Sequence, residues 1–327
     1  MYIPPKVKPL SPPDRRPLYE DVQYAKVNLD NGEPHELKLD IYQDPNQKEL
    51  GPCIVYFFGG GWMWGDYKQQ DNKAVYCRDL VKMVERGYTI VSPSYRLASQ
   101  SVFPACIHDS KAVIRFLKAN AATYHIDPQR IGVLGNSAGA HLAAMVALSS
   151  NSNEMEGNVG GNLGYSSSVK VAVLFYTPAD IIEMIRTNAA KLGAPPLDLK
   201  GTEIDNVANG ALEIESLILG FIGEGKSLWS LNKLLESGDI ENPDWKYIEL
   251  AEKCSPIRYA NSDCPPVLIL HGGHDVVVPI KQSEILYKAL IEAEADATFL
   301  SYSHGAHGPS LGPEVDQFAY NFLTSRL

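Results

Sequence analysis

The chain has 327 residues, 45% hydrophobic and 21% charged, with a formal net charge of −10. That length fits one large domain or two ordinary ones with a self-sufficient core, and the composition excludes a disordered or collagen-like chain. The acidic balance repels phosphate backbones and argues against a nucleic-acid partner, and no apolar run reaches the roughly 18 residues of a membrane span.

Residues 1–20 carry six prolines and read as an extended N-terminal arm without the apolar segment of a signal peptide. Val22–Leu29 and His35–Tyr42 alternate polar and apolar residues around Asn31-Gly32, the pattern of a half-exposed hairpin. From Cys53 the strands become short continuous apolar runs: 53–58, 88–91, 131–134, 169–176, 267–270 and 297–302. Such runs belong to a parallel sheet covered on both faces. Helical patterns fall between them at 74–86, 107–124, 141–148, 280–295 and 315–323. The alternation predicts an α/β class fold, a single domain with a mostly parallel sheet flanked by helices and an antiparallel edge.

Two intervals stand apart. About 90 residues separate Tyr176 from Pro266, far more than a crossover needs, and they are rich in Leu, Ile and Trp. Residues 181–250 are therefore expected to form a helical, cap-like insertion over the C-terminal edge of the sheet. The Gly/Ser/Asn-rich stretch Asn151–Ser168 is expected as a loop on that same side. Cys53, Cys77, Cys106, Cys254 and Cys264 are scattered without a CxxC pair, so they form no disulfide framework. They read as reduced, mostly buried thiols, and a cytoplasmic location is expected.

The chemistry concentrates at strand ends. Gly135-Asn136-Ser137-Ala138-Gly139 follows an apolar strand and opens a helix, the context of a nucleophile elbow. The turn is so tight that its flanks must be small, and it projects the serine above the sheet beside a helix N-terminus. Phe57-Phe58-Gly59-Gly60-Gly61-Trp62 ends an upstream strand, and its glycines leave backbone N–H groups open to a substrate. With the amide of Ala138 they can form an oxyanion hole. A serine nucleophile needs a base, and the base an orienting acid, in that fold order acid first. Asp275 follows strand 267–270, and His304 and His307 follow strand 297–302. Both histidines stand just before a glycine, and spacing alone leaves the base open between them. His271-x-x-His274 and His304-x-x-His307 have the spacing of metal pairs, but the elbow accounts for the region without a metal.

These motifs resemble those of esterases of the α/β-hydrolase superfamily, in the branch of hormone-sensitive-lipase-like carboxylesterases and bacterial acetyl and feruloyl esterases. Leu39–Tyr42, Tyr95-Arg96-Leu97, Phe103-Pro104-Ala105, Asp127–Ile131 and Ser255-Pro256-Ile257 match further landmarks, so the resemblance runs from about Leu37 to Leu323. It implies Ser137 as nucleophile, Asp275 as acid and His307 as base, with Gly60, Gly61 and Ala138 donating to the oxyanion. It also implies a small-molecule ester as substrate and neither cofactor nor metal. Trp62, Trp64 and Asn136, adjacent to these groups, are expected at the substrate. His271 and His274 are expected to be structural, and His141 packed or on the surface. An amidase on the same machinery and a non-catalytic small-molecule receptor are the alternative readings. One departure is evident: Phe58 stands where the family has a histidine that braces the glycine loop, and phenylalanine is expected to brace by packing.

Overall fold

The computed structural model describes residues 16–68, 80–191, 213–308 and 313–327. The arm up to residue 15, the start of the helix expected from Ala74, Cys77 and residues 192–212 of the insertion lie outside the described residues. Strands β1 (Tyr19–Asn28) and β2 (Pro34–Tyr42) form the expected hairpin, pairing antiparallel from Tyr19 opposite Ile41 to Asn28 opposite Pro34. The expected arm therefore becomes strand at Tyr19.

β2 continues antiparallel onto β4 (Thr89–Pro93), and β4 runs parallel to β3 (Gly51–Phe57). β5 (Ile126–Asn136), β6 (Val171–Phe175), β7 (Val267–Gly272) and β8 (Ala297–Tyr302) extend the sheet in parallel. The order across the eight strands is β1-β2-β4-β3-β5-β6-β7-β8. The inner strands are buried along nearly their whole length, as their continuous apolar sequences require. β8 departs from that expectation: it is the edge strand, half-buried at first and exposed at Ser301 and Tyr302.

Helix α1 (Ala105–Ala119) precedes β5, and α2 (Ala138–Leu148) follows it. Every residue of α2 is buried, which its sequence, apolar on all sides, anticipates. After the short helix α3 (Asn153–Glu156) the chain crosses Gly157–Ser168 and enters β6. The 151–168 segment was expected beside the site, yet it connects to the opposite edge. Because α2 starts at the C-terminal edge of the sheet, its far end delivers the chain to the N-terminal edge, where β6 begins. There Arg115 of α1 binds the carbonyls of Glu156, Val159 and Gly161, and Lys118 binds that of Ser168.

The insertion contains α4 (Ile181–Lys191), α5 (Ile214–Leu219), α6 (Leu228–Ser237) and α7 (Trp245–Lys253). Ser227 caps α6 by a reciprocal pair of bonds with Ser230, and Gly238 ends it in a left-handed turn. Ile185, Ile218, Leu228, Leu231 and Ile248 are buried. The insertion is tied to the body where Ile181 N–H donates to Ser255 Oγ (2.8 Å) and Phe103 N–H to Ile218 O (2.9 Å). Helices α8 (Lys281–Glu292) and α9 (Pro313–Thr324) complete the layers. None of the described helices is long and apolar enough to cross a membrane.

Candidate active site

β5 ends at Asn136, and Ser137 turns the chain with φ 54° and ψ −125°, a conformation costing a non-glycine residue about 1–3 kcal/mol. The surroundings impose it. Ser137 N–H donates to Phe175 O on β6 (2.9 Å), and Ser137 O accepts the N–H of His141 one turn into α2 (3.0 Å). The helix leaves the turn so close to β3 that a β-carbon at Gly139 would lie 2.1 Å from Phe57 O. Only glycine permits that approach.

β7 and β8 carry the next two groups to the same edge. His307 places Nε2 3.1 Å from Ser137 Oγ and Nδ1 2.7 Å from Asp275 Oδ2. The proton on Nδ1 donates to the carboxylate, leaving Nε2 as an acceptor toward the hydroxyl. Asp275 is itself held: Oδ1 accepts from the N–H groups of Val277 and Val278, both at 2.9 Å. His271 Nε2 lies 3.3 Å from its other oxygen. Burial would raise the Asp275 pKa, but the hydrogen bonds from His271 and His307 outweigh it and hold the carboxyl well below the usual range. The Tyr176 ring packs 4.4 Å from the His307 ring and limits its swing.

The glycine loop leaves β3 against the elbow, where a β-carbon at Gly59 would sit 3.3 Å from Ser137 Cβ. Gly60 has φ +121°, a conformation suited to glycine, and its carbonyl accepts from Met63 and Trp64 (3.0 and 3.1 Å). The N–H groups of Gly60, Gly61 and Ala138 have no acceptor among the described residues. Phe58 is 1% exposed and stacks on Tyr95 with ring centroids 4.3 Å apart, while the Tyr95 hydroxyl donates to Phe58 O (2.8 Å). Phenylalanine thus braces the loop by packing, as anticipated.

Two expected substrate contacts are corrected by their surroundings. Trp62 is 1% exposed: φ +59° turns its side chain inward, and its indole N–H donates to His141 Nδ1 (3.2 Å). Asn136 Oδ1 is taken by the Tyr56 hydroxyl (2.7 Å), which turns the amide back toward β3. Trp64, 36% exposed, remains beside Gly61, and Ile214 of the insertion lies against the same point: a β-carbon on Gly61 would be 3.5 Å from Ile214 Cγ2 and 3.7 Å from Trp64 Cη2. His304 is exposed, packing edge-to-face on the exposed His274 at 5.9 Å and away from Ser137. His271 is buried between Ser283 Oγ (2.6 Å) and Val278 O (2.9 Å). Sequence reasoning missed Tyr95, Tyr176 and the partners of His141 and His271. Only Tyr95 carried a signal, as part of the Tyr95-Arg96-Leu97 landmark.

Comparison with known proteins agrees with this architecture. Esterase LipQ of Mycobacterium tuberculosis is 28% identical over 82% of this chain and 53% of its own length. The probable carboxylic ester hydrolase LipM of the same organism is 25% identical over 80% and 49%. The chain thus spans about half the length of these curated relatives. Among solved structures, a truncated form of a carbohydrate esterase from gut microbiota superposes with a TM-score of 0.70 at 27% identity, over 96% of this chain and 98% of that one. The Thermogutta terrifontis esterase 2 structures, at 22% identity, share the fold. The fold is the α/β-hydrolase fold, and, with the BD-FAE family model matching residues 39–210 and 230–290, the chain belongs to the BD-FAE family.

Proposed function

We propose that this protein is a serine carboxylesterase acting on small-molecule carboxylic esters through an acyl-enzyme. One observation carries the reading: the hydrogen-bonded series Ser137–His307–Asp275 stands at an elbow next to which the N–H groups of Gly60, Gly61 and Ala138 have no acceptor among the described residues. Ser137 Oγ attacks the ester carbonyl as His307 Nε2 takes its proton. The carbonyl oxygen becomes an anion held by the N–H groups of Gly60, Gly61 and Ala138, and the N-terminus of α2 adds its dipole. Asp275 stabilises the imidazolium. The imidazolium protonates the departing alcohol oxygen, and His307 then activates a water that releases the acid and restores Ser137.

Short-chain acyl or aromatic esters are the proposed substrates, with acetyl or feruloyl esters of sugars among them. A solved carbohydrate esterase that this chain matches nearly end to end supports this class. Trp64 and Ile214 both lie against Gly61 and are assigned as pocket walls, which gives the helical insertion a part in substrate choice. Cys53, Cys106, Cys254 and Cys264 are buried and unpaired, which supports a reducing, cytoplasmic setting.

The test is hydrolysis of p-nitrophenyl acetate by the purified chain and by Ser137→Ala. The variant should stay folded, since alanine only deletes the hydroxyl, and should lose about 10⁶-fold in kcat. A Ser137→Ala protein retaining wild-type turnover would place the chemistry elsewhere.

A further inference from the structure

We propose that His141 is a positioning residue for the oxyanion hole, acting through Trp62. The inference rests on the esterase reading and adds a residue to it. Among the described residues, the bond from Trp62 Nε1 to His141 Nδ1 is the one side-chain-to-side-chain hydrogen bond made by the loop 58–64. Indole nitrogen can only donate, so Nδ1 of His141 must be the acceptor and its proton must sit on Nε2. There it donates to Cys254 O at 2.7 Å, at the end of α7. Both ring nitrogens are thereby committed, and the ring orientation is fixed. The indole and imidazole rings meet edge-to-face, with centroids 5.1 Å apart at 88°.

The placement carries the argument. His141 lies in the first turn of α2, and its own N–H binds Ser137 O (3.0 Å). One residue thus ties three parts together, the turn bearing the hydroxyl through its backbone and, through its side chain, the loop bearing Gly60 and Gly61 and the C-terminus of the insertion. Trp62 holds a left-handed φ of +59°, unfavourable for a bulky residue. Such a conformation persists only where its surroundings hold it. Its carbonyl is fixed by Ala98 N–H (2.8 Å), and its indole is fixed by His141. Upstream the loop is braced by Phe58 on Tyr95; downstream the brace is Trp62 on His141. Gly60 and Gly61 lie between the two braces, so loosening the downstream one displaces their N–H groups relative to Ser137. Donors aimed at a developing anion act in the transition state more than on the bound ester. The expected signature is a loss in kcat at nearly constant KM.

Trp62→Phe keeps an aromatic ring and removes the N–H. With p-nitrophenyl acetate the variant should lose about tenfold or more in kcat, short of the 10²–10³ for deleting a donor outright, with KM little changed. Affinity for phenylboronic acid, which forms a tetrahedral adduct on the serine, should fall in parallel. His141→Gln retains an acceptor and a donor and should recover most of the rate, whereas His141→Met should not. If Trp62→Phe does not fold, the Gln–Met comparison at position 141 carries the test. A folded Trp62→Phe enzyme with wild-type kcat and boronate affinity, or equal rates for His141→Gln and His141→Met, would overturn the proposal. An inactive wild-type protein would instead overturn the esterase reading.

Discussion

Acid should unfold this protein partly through one histidine, and the size of the effect follows from its burial. His141 is fully buried. Loss of hydration penalises its charged form more than the bond to the Cys254 carbonyl favours it, so its pKa falls from 6.5 to about 4. The folded pKa lies below the unfolded one, so between these values the unfolded chain binds more protons. The stabilisation is complete above about pH 6.5 and declines as pH falls toward 4. At about 1.4 kcal/mol per pH unit the full loss is about 3 kcal/mol, of which about 2 kcal/mol has gone by pH 5. That is a sizeable part of the ~5–15 kcal/mol that stabilises a typical domain. Urea unfolding of wild type and His141→Gln from pH 8 to 4.5 isolates the contribution, because the carboxylates titrate in both proteins. The stability difference between them should shift by about 2 kcal/mol in favour of the glutamine variant between pH 8 and 5. A difference independent of pH would refute the reasoning, because the imidazole would then be reaching solvent in the folded state or carrying its charge there.

Three further outcomes are expected. His307→Ala should approach Ser137→Ala in severity, whereas His304→Ala, at an exposed ring packed on His274, should stay close to wild type in p-nitrophenyl acetate hydrolysis; a reversed order would move the base to His304. Phe58→His should lower stability by about 1–3 kcal/mol in urea melts without raising turnover, because the imidazole would replace a ring stacked on Tyr95 in a fully buried place. Ile214→Ala should open the space beside Gly61 and raise butyrate turnover relative to acetate in a p-nitrophenyl ester series, and Trp229→Ala, at a side chain 56% exposed, should leave that ratio unchanged. An unaltered profile in Ile214→Ala would remove the insertion from substrate choice.

The sheet and the elbow were legible in the sequence because each has a local cause. A strand covered on both faces must be apolar throughout, as Cys53–Phe58 is, and a turn pressed against β3 must have a glycine where Gly139 stands. Handedness is less legible. Trp62 and Trp64 look equivalent beside the glycines, yet the left-handed φ at Trp62 sends one ring into the core and leaves the other 36% exposed. The loop 151–168 was misplaced for a different reason. Its composition announces a loop, but its position is decided by the length and direction of α2, a property of the whole helix.

His141 shows where local reading stops. In Ala138–Leu148 it is the one ionisable residue of a helix otherwise apolar all round. A polar ring in such a helix must be buried, and a buried imidazole must find a donor and an acceptor, since leaving either group unpaired costs about 1–3 kcal/mol. The need for partners was therefore implicit in those eleven residues. The partners themselves were not, because Trp62 lies 79 positions before His141 and Cys254 lies 113 after it. No periodicity links such separations; they meet only because β3, α2 and the end of α7 converge at one edge of the sheet. That convergence also separates stability from catalysis. Burial holds His141 uncharged while its bond to Trp62 holds the glycine loop, so a substitution there moves both the acid limit of the fold and the rate. His141→Gln divides the two, since it removes the titration while keeping the bonds.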